Sequence, residues 1–214
     1  MFFRKTIYPH ILSRVTDVLF PSRCICCDKE SQIICQTCFN KIEKRPQAYR
    51  GNFSLFEYDN SVVRKALWGL KYRNRKRVAL IFAPEMRKKL DSMFPNEEVL
   101  LIPIPLSRKR RWSRGFNQAE VLARAISEAE QPTLILSTAL RRTKHNNPQT
   151  LIKNKDLRLQ NMRGVFEVRN PKEITGKRII VIDDITTTGA TLHEATKVLK
   201  KAGAKEAIGF AVAH

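Results

Sequence analysis

Apolar positions along the chain fall into two registers. Val99–Ile104 (VLLIPI), Thr133–Leu136, Ile179–Ile182 and Ile208–Val212 are short apolar runs that read as strands. The first and third carry no charge, as buried strands require. Between the runs, Ala119, Leu122, Ala125, Ile126 and Ala129 share one helical face of Asn117–Glu130. Leu192, Ala195, Val198, Leu199 and Ala202 do the same in Ala190–Ala202, and Gly203 stands where a helix stop belongs. Strand–helix alternation of this kind predicts an α/β fold, a parallel sheet flanked by helices. Ligands of such sheets bind where strands end and helices begin. Near the N-terminus, Ile11, Leu12, Val15, Val18 and Leu19 recur at helical spacing, and Pro21 and Ser22 end that pattern. The polar stretch Lys41–Asn52, with Pro46 and Gly51, reads as a linker.

The run Ile179–Ile182 stops at Asp183 and Asp184, and Thr186, Thr187, Thr188, Gly189, Ala190 and Thr191 lead into the next helix. Glycine lets a backbone approach a ligand, and the unpaired N–H groups of a helix start attract phosphate. Hydroxyls add donors without charge, and two adjacent carboxylates can accept hydrogen bonds from paired sugar hydroxyls. The set suits a sugar 5-phosphate. A capped strand–turn–helix would account for one Asp or one Thr, but not for the whole cluster. Neither GxxxxGK[ST] nor GxGxxG occurs.

Charge sharpens this picture. Forty Lys and Arg against twenty Asp and Glu leave a formal +20, a field that attracts polyanions. Part of it sits after Val99–Ile104, where Arg108, Lys109, Arg110, Arg111 and Arg114 surround Trp112. A second cluster holds Lys71, Tyr72, Arg73, Arg75, Lys76 and Arg77. For any one arginine a solvated surface suffices; the clusters point to anion binding, and basic side chains with aromatics match what single-strand binding uses. The stretch from Leu140 to Phe166 shows no clear strand, and a segment of that length reads as a lid or as disorder. Lys144 and His145 within it are candidates to assist there.

All five cysteines lie in Cys24–Cys38. Cys24/Cys27 and Cys35/Cys38 form two CxxC knuckles, the four-thiolate set of a closed structural zinc site, and Cys26 is surplus. Reduced thiols without metal are the alternative. Arg14 and Asp17 interrupt the apolar N-terminal stretch, so it does not read as a secretory signal. With no uncharged run long enough for a membrane span, a cytoplasmic protein is expected. The organisation expected is a helix and zinc module over 1–40, a linker over 41–52 and an α/β domain over 53–214.

The segment Ile179–Thr191, IIVIDDITTTGAT, resembles the fingerprint of type I phosphoribosyltransferases. The resemblance implies that Asp183 and Asp184 hold ribose hydroxyls and that Thr186–Thr191 hold the 5-phosphate of phosphoribosyl pyrophosphate (PRPP). It also places a pyrophosphate loop at Leu106, Ser107 and Arg108, puts a closing hood near the 140–166 stretch, and brings Mg2+ on the pyrophosphate. Together with the knuckles, the landmarks FPSRCICC…CQTC, ALWGLKYRNRKR, PIPLSRKRRWSRGFNQAEVLAR and LRRTKHNNPQ…LR…N…GVF make the chain similar to the ComF/GntX family of competence proteins. That resemblance implies a step on incoming single-stranded DNA beside a helicase partner. Cys26 and Asn74, which stands where a glycine is usual, depart from the pattern. A true transferase acting on a nucleobase or amine, and a nucleotide sensor without turnover, are the competing expectations.

Overall fold

The computed structural model describes residues 23–30, 33–49, 51–73, 75–128, 133–143 and 162–214. The expected N-terminal helix, Asn74, Lys144 and His145 lie outside them. In chain order the elements begin with α1 (Gln36–Phe39), β1 (Lys44–Tyr49), β2 (Asn52–Phe56), α2 (Ser61–Tyr72) and α3 (Ala79–Met93). There follow β3 (Val99–Pro103), α4 (Arg108–Arg114), α5 (Gln118–Ser127), β4 (Leu134–Leu136), β5 (Leu140–Arg142) and β6 (Phe166–Val168). The chain ends with α6 (Pro171–Ile174), β7 (Arg178–Ile185), α7 (Ala190–Lys201) and β8 (Glu206–Ala213).

One sheet has the order β1-β2-β8-β7-β3-β4. From β2 to β4 every neighbouring pair is parallel, and β1 is an antiparallel edge. The apolar runs are its centre, and β7 extends beyond the expected strand, through both aspartates to Ile185. Alternate residues of β7 serve two cores, since successive strand side chains point to opposite faces. Ile180 and Ile182 join Leu67 and Leu70 of α2, Phe82 and Leu90 of α3, and Leu122 of α5 on the first face. Ile179 and Val181 join Leu192, Ala195 and Leu199 of α7, with Leu140 and Phe166, on the second.

Lys41–Asn52 is not a linker. It contains β1 and the first residue of β2, a hairpin turned at Gly51 with φ +73°. Polar composition hid the strand because β1 is an exposed edge, the position at which Pro46 and an irregular register cost little. The expected loop after β3 likewise contains a helix, α4, capped by Ser107 and stopped by Gly115 at φ +74°. Two short strands, β5 and β6, pair antiparallel at the ends of the 140–166 stretch. The backbone N–H of Gly164 there donates to the buried Glu194 of α7 at 2.7 Å. Among the described residues, no helix is long and apolar enough to cross a membrane.

The sheet closes tightly where β2 meets β8. The Gly209 N–H donates to Asn52 Oδ1 at 3.0 Å, and a Cβ at Gly209 would stand 2.8 Å from Leu192 Cβ and collide with the Asn52 amide. Gly209→Ala is expected to cost about 2 kcal/mol or more, read as a lower thermal midpoint; an unchanged midpoint would contradict this packing.

Candidate functional site

The site begins with the pleat of β7. Alternation sends Asp184 to the face of α2 and Asp183 to the face of α7. Asp184 Oδ1 accepts the Ile185 N–H at 2.9 Å, and its Oδ2 lies 2.9 Å from Lys71 Nζ at the end of α2. Both partners are largely enclosed, with the Lys71 and Asp184 side chains 20% and 10% exposed. Asp183 Oδ1 accepts the Asp184 N–H at 2.8 Å. Burial pushes the Asp183 carboxyl up to about 8; the negative charge of Asp184 adds to this, and Lys71 opposes it.

The following loop turns into α7 through Gly189, whose φ of +70° is left-handed. The Thr186 N–H donates to Ala213 O at 2.9 Å, and Thr188 Oγ1 accepts the Ala190 N–H at 3.4 Å. Thr186 and Thr188 are buried and Thr187 is exposed. Thr191 lies in the first turn of α7.

A cavity of about 670 Å³ opens past the end of β3, with Pro103 and Pro105 in its wall. Leu106, Ser107 and Arg108 line it, together with Arg111, Arg141, Arg142 and Arg169. None of Asp183–Thr191 lines it. The link is Arg142: burial and the charge of Arg110 lower its pKa, and Asp183 raises it. Five arginines against Glu120 suit a diphosphate or another polyanion. The sequence reading missed Arg142, although it lies in the quoted LRRTKHNNPQ landmark.

The two basic clusters meet in space. The Arg114 guanidinium lies 5.2 Å from the centre of the Tyr72 ring, and Lys76 lies 5.0 Å from that of Phe116. Arg73 stacks over Trp68 at 4.8 Å, and the Trp68 and Tyr72 rings are 5.7 Å apart. Trp68, Tyr72 and Trp112 are all exposed, Trp112 by 90%. Arg75 lies near Gly69 of α2, whereas Arg108 and Arg111 line the cavity and Arg110 stands near Arg142; Lys109 follows Arg108 in α4. Lys71, assigned by sequence to the same cluster, instead turns inward to Asp184. Trp68 was not singled out; its spacing of four from Tyr72 on α2 was the available signal.

The four knuckle sulfurs of Cys24, Cys27, Cys35 and Cys38 lie within 4.8 Å of one another. The Cys27–Cys35 sulfur separation of 3.7 Å fits a tetrahedron with Zn–S bonds of about 2.3 Å. The Cys35 N–H donates to Cys24 Sγ at 3.4 Å. Burial raises the Cys24 thiol, but the backbone N–H groups of Cys35, Cys26 and Cys27 outweigh it and bring it to about 6. Burial and the neighbouring sulfurs push Cys38 up to about 12. Such a crowded set can hold a zinc ion, which would replace the protons. Cys26 stands outside the four, and burial and the charge of Cys24 raise it to about 11.

Two outcomes follow for the variants. Elemental analysis is expected to find one zinc per chain, kept in Cys26→Ser and lost with a lower melting temperature in Cys38→Ser; loss in Cys26→Ser would contradict the four-sulfur set. Because the folded Asp183 carboxyl titrates above its unfolded value of about 4, its contribution to wild-type stability is lost as pH rises from about 4 to about 8. Asp183→Asn is therefore expected to match wild type near pH 4 and to exceed it by about 1 kcal/mol or more at pH 9. Equal thermal midpoints at pH 9 would contradict the shift.

With this geometry in view, the chain can be placed among known proteins. Residues 77–214 match the phosphoribosyl transferase domain. Competence protein ComFC of Bacillus subtilis is 33% identical over 72% of this chain and 60% of its own length. Competence protein F of Haemophilus influenzae is 38% identical over 50% of this chain and 46% of its own. The DNA utilization protein YhgH of Escherichia coli O157:H7 is 32% identical over 49% and 44%. The chain thus spans about half the length of the curated relatives it matches. It belongs to the phosphoribosyl transferase domain family, in the branch whose relatives are competence and DNA-utilization proteins of ComF type.

Proposed function

We propose that the chain is a competence or DNA-utilization accessory that binds PRPP, or a related phosphoribosyl ligand, at the end of β7 and single-stranded DNA across the α2–α4 face. One observation carries the reading: two basic clusters far apart in sequence converge around exposed aromatics beside the acidic pair. Arginines follow a phosphate backbone, and aromatic faces stack on unpaired bases without regard to sequence. The ribose hydroxyls fall to Asp183 and Asp184, the 5-phosphate to Thr186–Thr191, and the diphosphate to Leu106–Arg108 with Arg142. Mg2+ belongs on that diphosphate, held mainly by its oxygens and water. The zinc of the knuckles is structural. Such a protein works in the cytoplasm on incoming strands, beside a helicase.

Fluorescence anisotropy with a labelled oligothymidylate tests the DNA half. Affinity is expected to fall linearly with salt on a log–log plot. Trp112→Ala is expected to weaken it about fivefold or more, and neutralising Arg108–Arg111 more strongly. No binding at low salt would overturn the reading.

The arginine-lined cavity favours a second reading, an active transferase that passes phosphoribose from PRPP to a nucleobase or amine. Pyrophosphate release with an acceptor panel, lost in Asp183→Asn, separates it from the first; bound PRPP without turnover of any acceptor would favour a sensor.

A further inference from the structure

Lys71 sits between the two binding regions. By sequence it opens the basic run Lys71–Arg77, and its neighbours on α2 serve the outer face. Tyr72 is 61% exposed and carries Arg114, while Arg73 lies over Trp68. Its own ammonium lies inward, 2.9 Å from Asp184 Oδ2. The other Asp184 oxygen is taken by the Ile185 N–H. Asp184 Oδ2 is shut off from solvent, so a sugar hydroxyl donating to it needs the place of a group now covering it, and Lys71 is the cation in contact there. A strand phosphate on the α2–α4 face competes for the same ammonium from the outside.

Neither competitor succeeds cheaply alone. Moving Lys71 away would leave Asp184 enclosed and uncompensated beside Asp183, and a buried charge without its partner is costly. A hydroxyl donor arriving at Oδ2 removes part of that cost, and a phosphate arriving outside gives the ammonium a new partner. Lysine suits this exchange, being a point charge on a flexible stem with no planar fork to lock it to one carboxylate. Its side chain keeps 20% of its surface exposed. Lys71 also precedes residue 77, where the family match begins, so the ammonium is brought to the acidic pair by the segment that carries the aromatic face.

We propose that Lys71 couples the two ligands: a strand phosphate on the α2–α4 face draws its ammonium off Asp184 Oδ2, and the ribose hydroxyls of a phosphoribosyl ligand take its place. This rests on the reading that the acidic pair takes that ligand and that the face takes a single strand. The consequence is positive cooperativity between nucleic acid and sugar phosphate, with Lys71 as the positioning residue. Thermodynamic linkage requires each ligand to tighten the other by the same factor.

The test is calorimetric titration of the full chain with PRPP and Mg2+, with and without a saturating short oligothymidylate. Wild type is expected to bind PRPP about tenfold more tightly with the strand present, and the strand to gain the same factor from PRPP. In Lys71→Met and Lys71→Gln that factor is expected to fall to about one, while strand binding persists through Arg73, Arg75 and Arg108–Arg111. The glutamine keeps an amide donor for Asp184, so it reports even where the methionine variant fails to fold. Equal PRPP affinity with and without strand in wild type, or the full factor in Lys71→Gln, overturns the coupling alone. A wild type that fails to bind either ligand overturns the functional reading and the coupling with it.

Discussion

The arrangement depends on one constraint, the pleat of a strand buried on both faces. Because β7 packs α2, α3 and α5 on one side and α7 on the other, its register cannot slip without exposing Ile180 and Ile182 or Ile179 and Val181. That register continues into the two aspartates and separates them. Asp184 falls among the helices of the first face and finds Lys71; Asp183 falls on the second, within reach of the Arg142 field. Two acids adjacent in sequence thus occupy different electrostatic settings. Burial, reinforced by the charge of Asp184, raises the Asp183 carboxyl, and Lys71 on the other face opposes this only in part.

The first face also ties the cysteine module to the site. Cys24, Ile34, Cys35 and Cys38 belong to the same apolar cluster as Val62, Ala66 and Leu70 of α2. Polar links reinforce the contact: Lys65 Nζ donates to Cys26 O at 3.1 Å, and Asn60, which caps α2, donates to Lys41 O at 2.8 Å. A knuckle held by metal would therefore brace the helix whose far end carries Lys71 and Tyr72. The module reads as a support for the face rather than as a separate chemical centre.

Much of this was legible in the sequence where local chemistry alone decides the outcome. The uncharged runs became β3 and β7, the helical stripes became α5 and α7, and Gly203 took up a left-handed φ of +100° just past the end of α7. The four cysteines of the two knuckles came together, and Cys26 was left out. What escaped were features set by distant partners. The strand β1 is polar because it is an edge, and α4 is polar because most of it faces solvent, so neither shows the periodicity that marks a buried element. Lys71 looks like its basic neighbours in sequence, and only the packing of α2 against the end of β7 turns it inward. Arg142 gained significance only through the pairing of β5 with β6 and its place in the cavity wall.

The central claim is that the end of β7 is a phosphoribosyl site whose two carboxylates take sugar hydroxyls. Calorimetry of wild type against PRPP with Mg2+, repeated on Asp184→Asn, tests it most directly. The account predicts one site per chain in wild type and its loss in the variant. No heat of binding in wild type, or equal affinity in the two proteins, would contradict it.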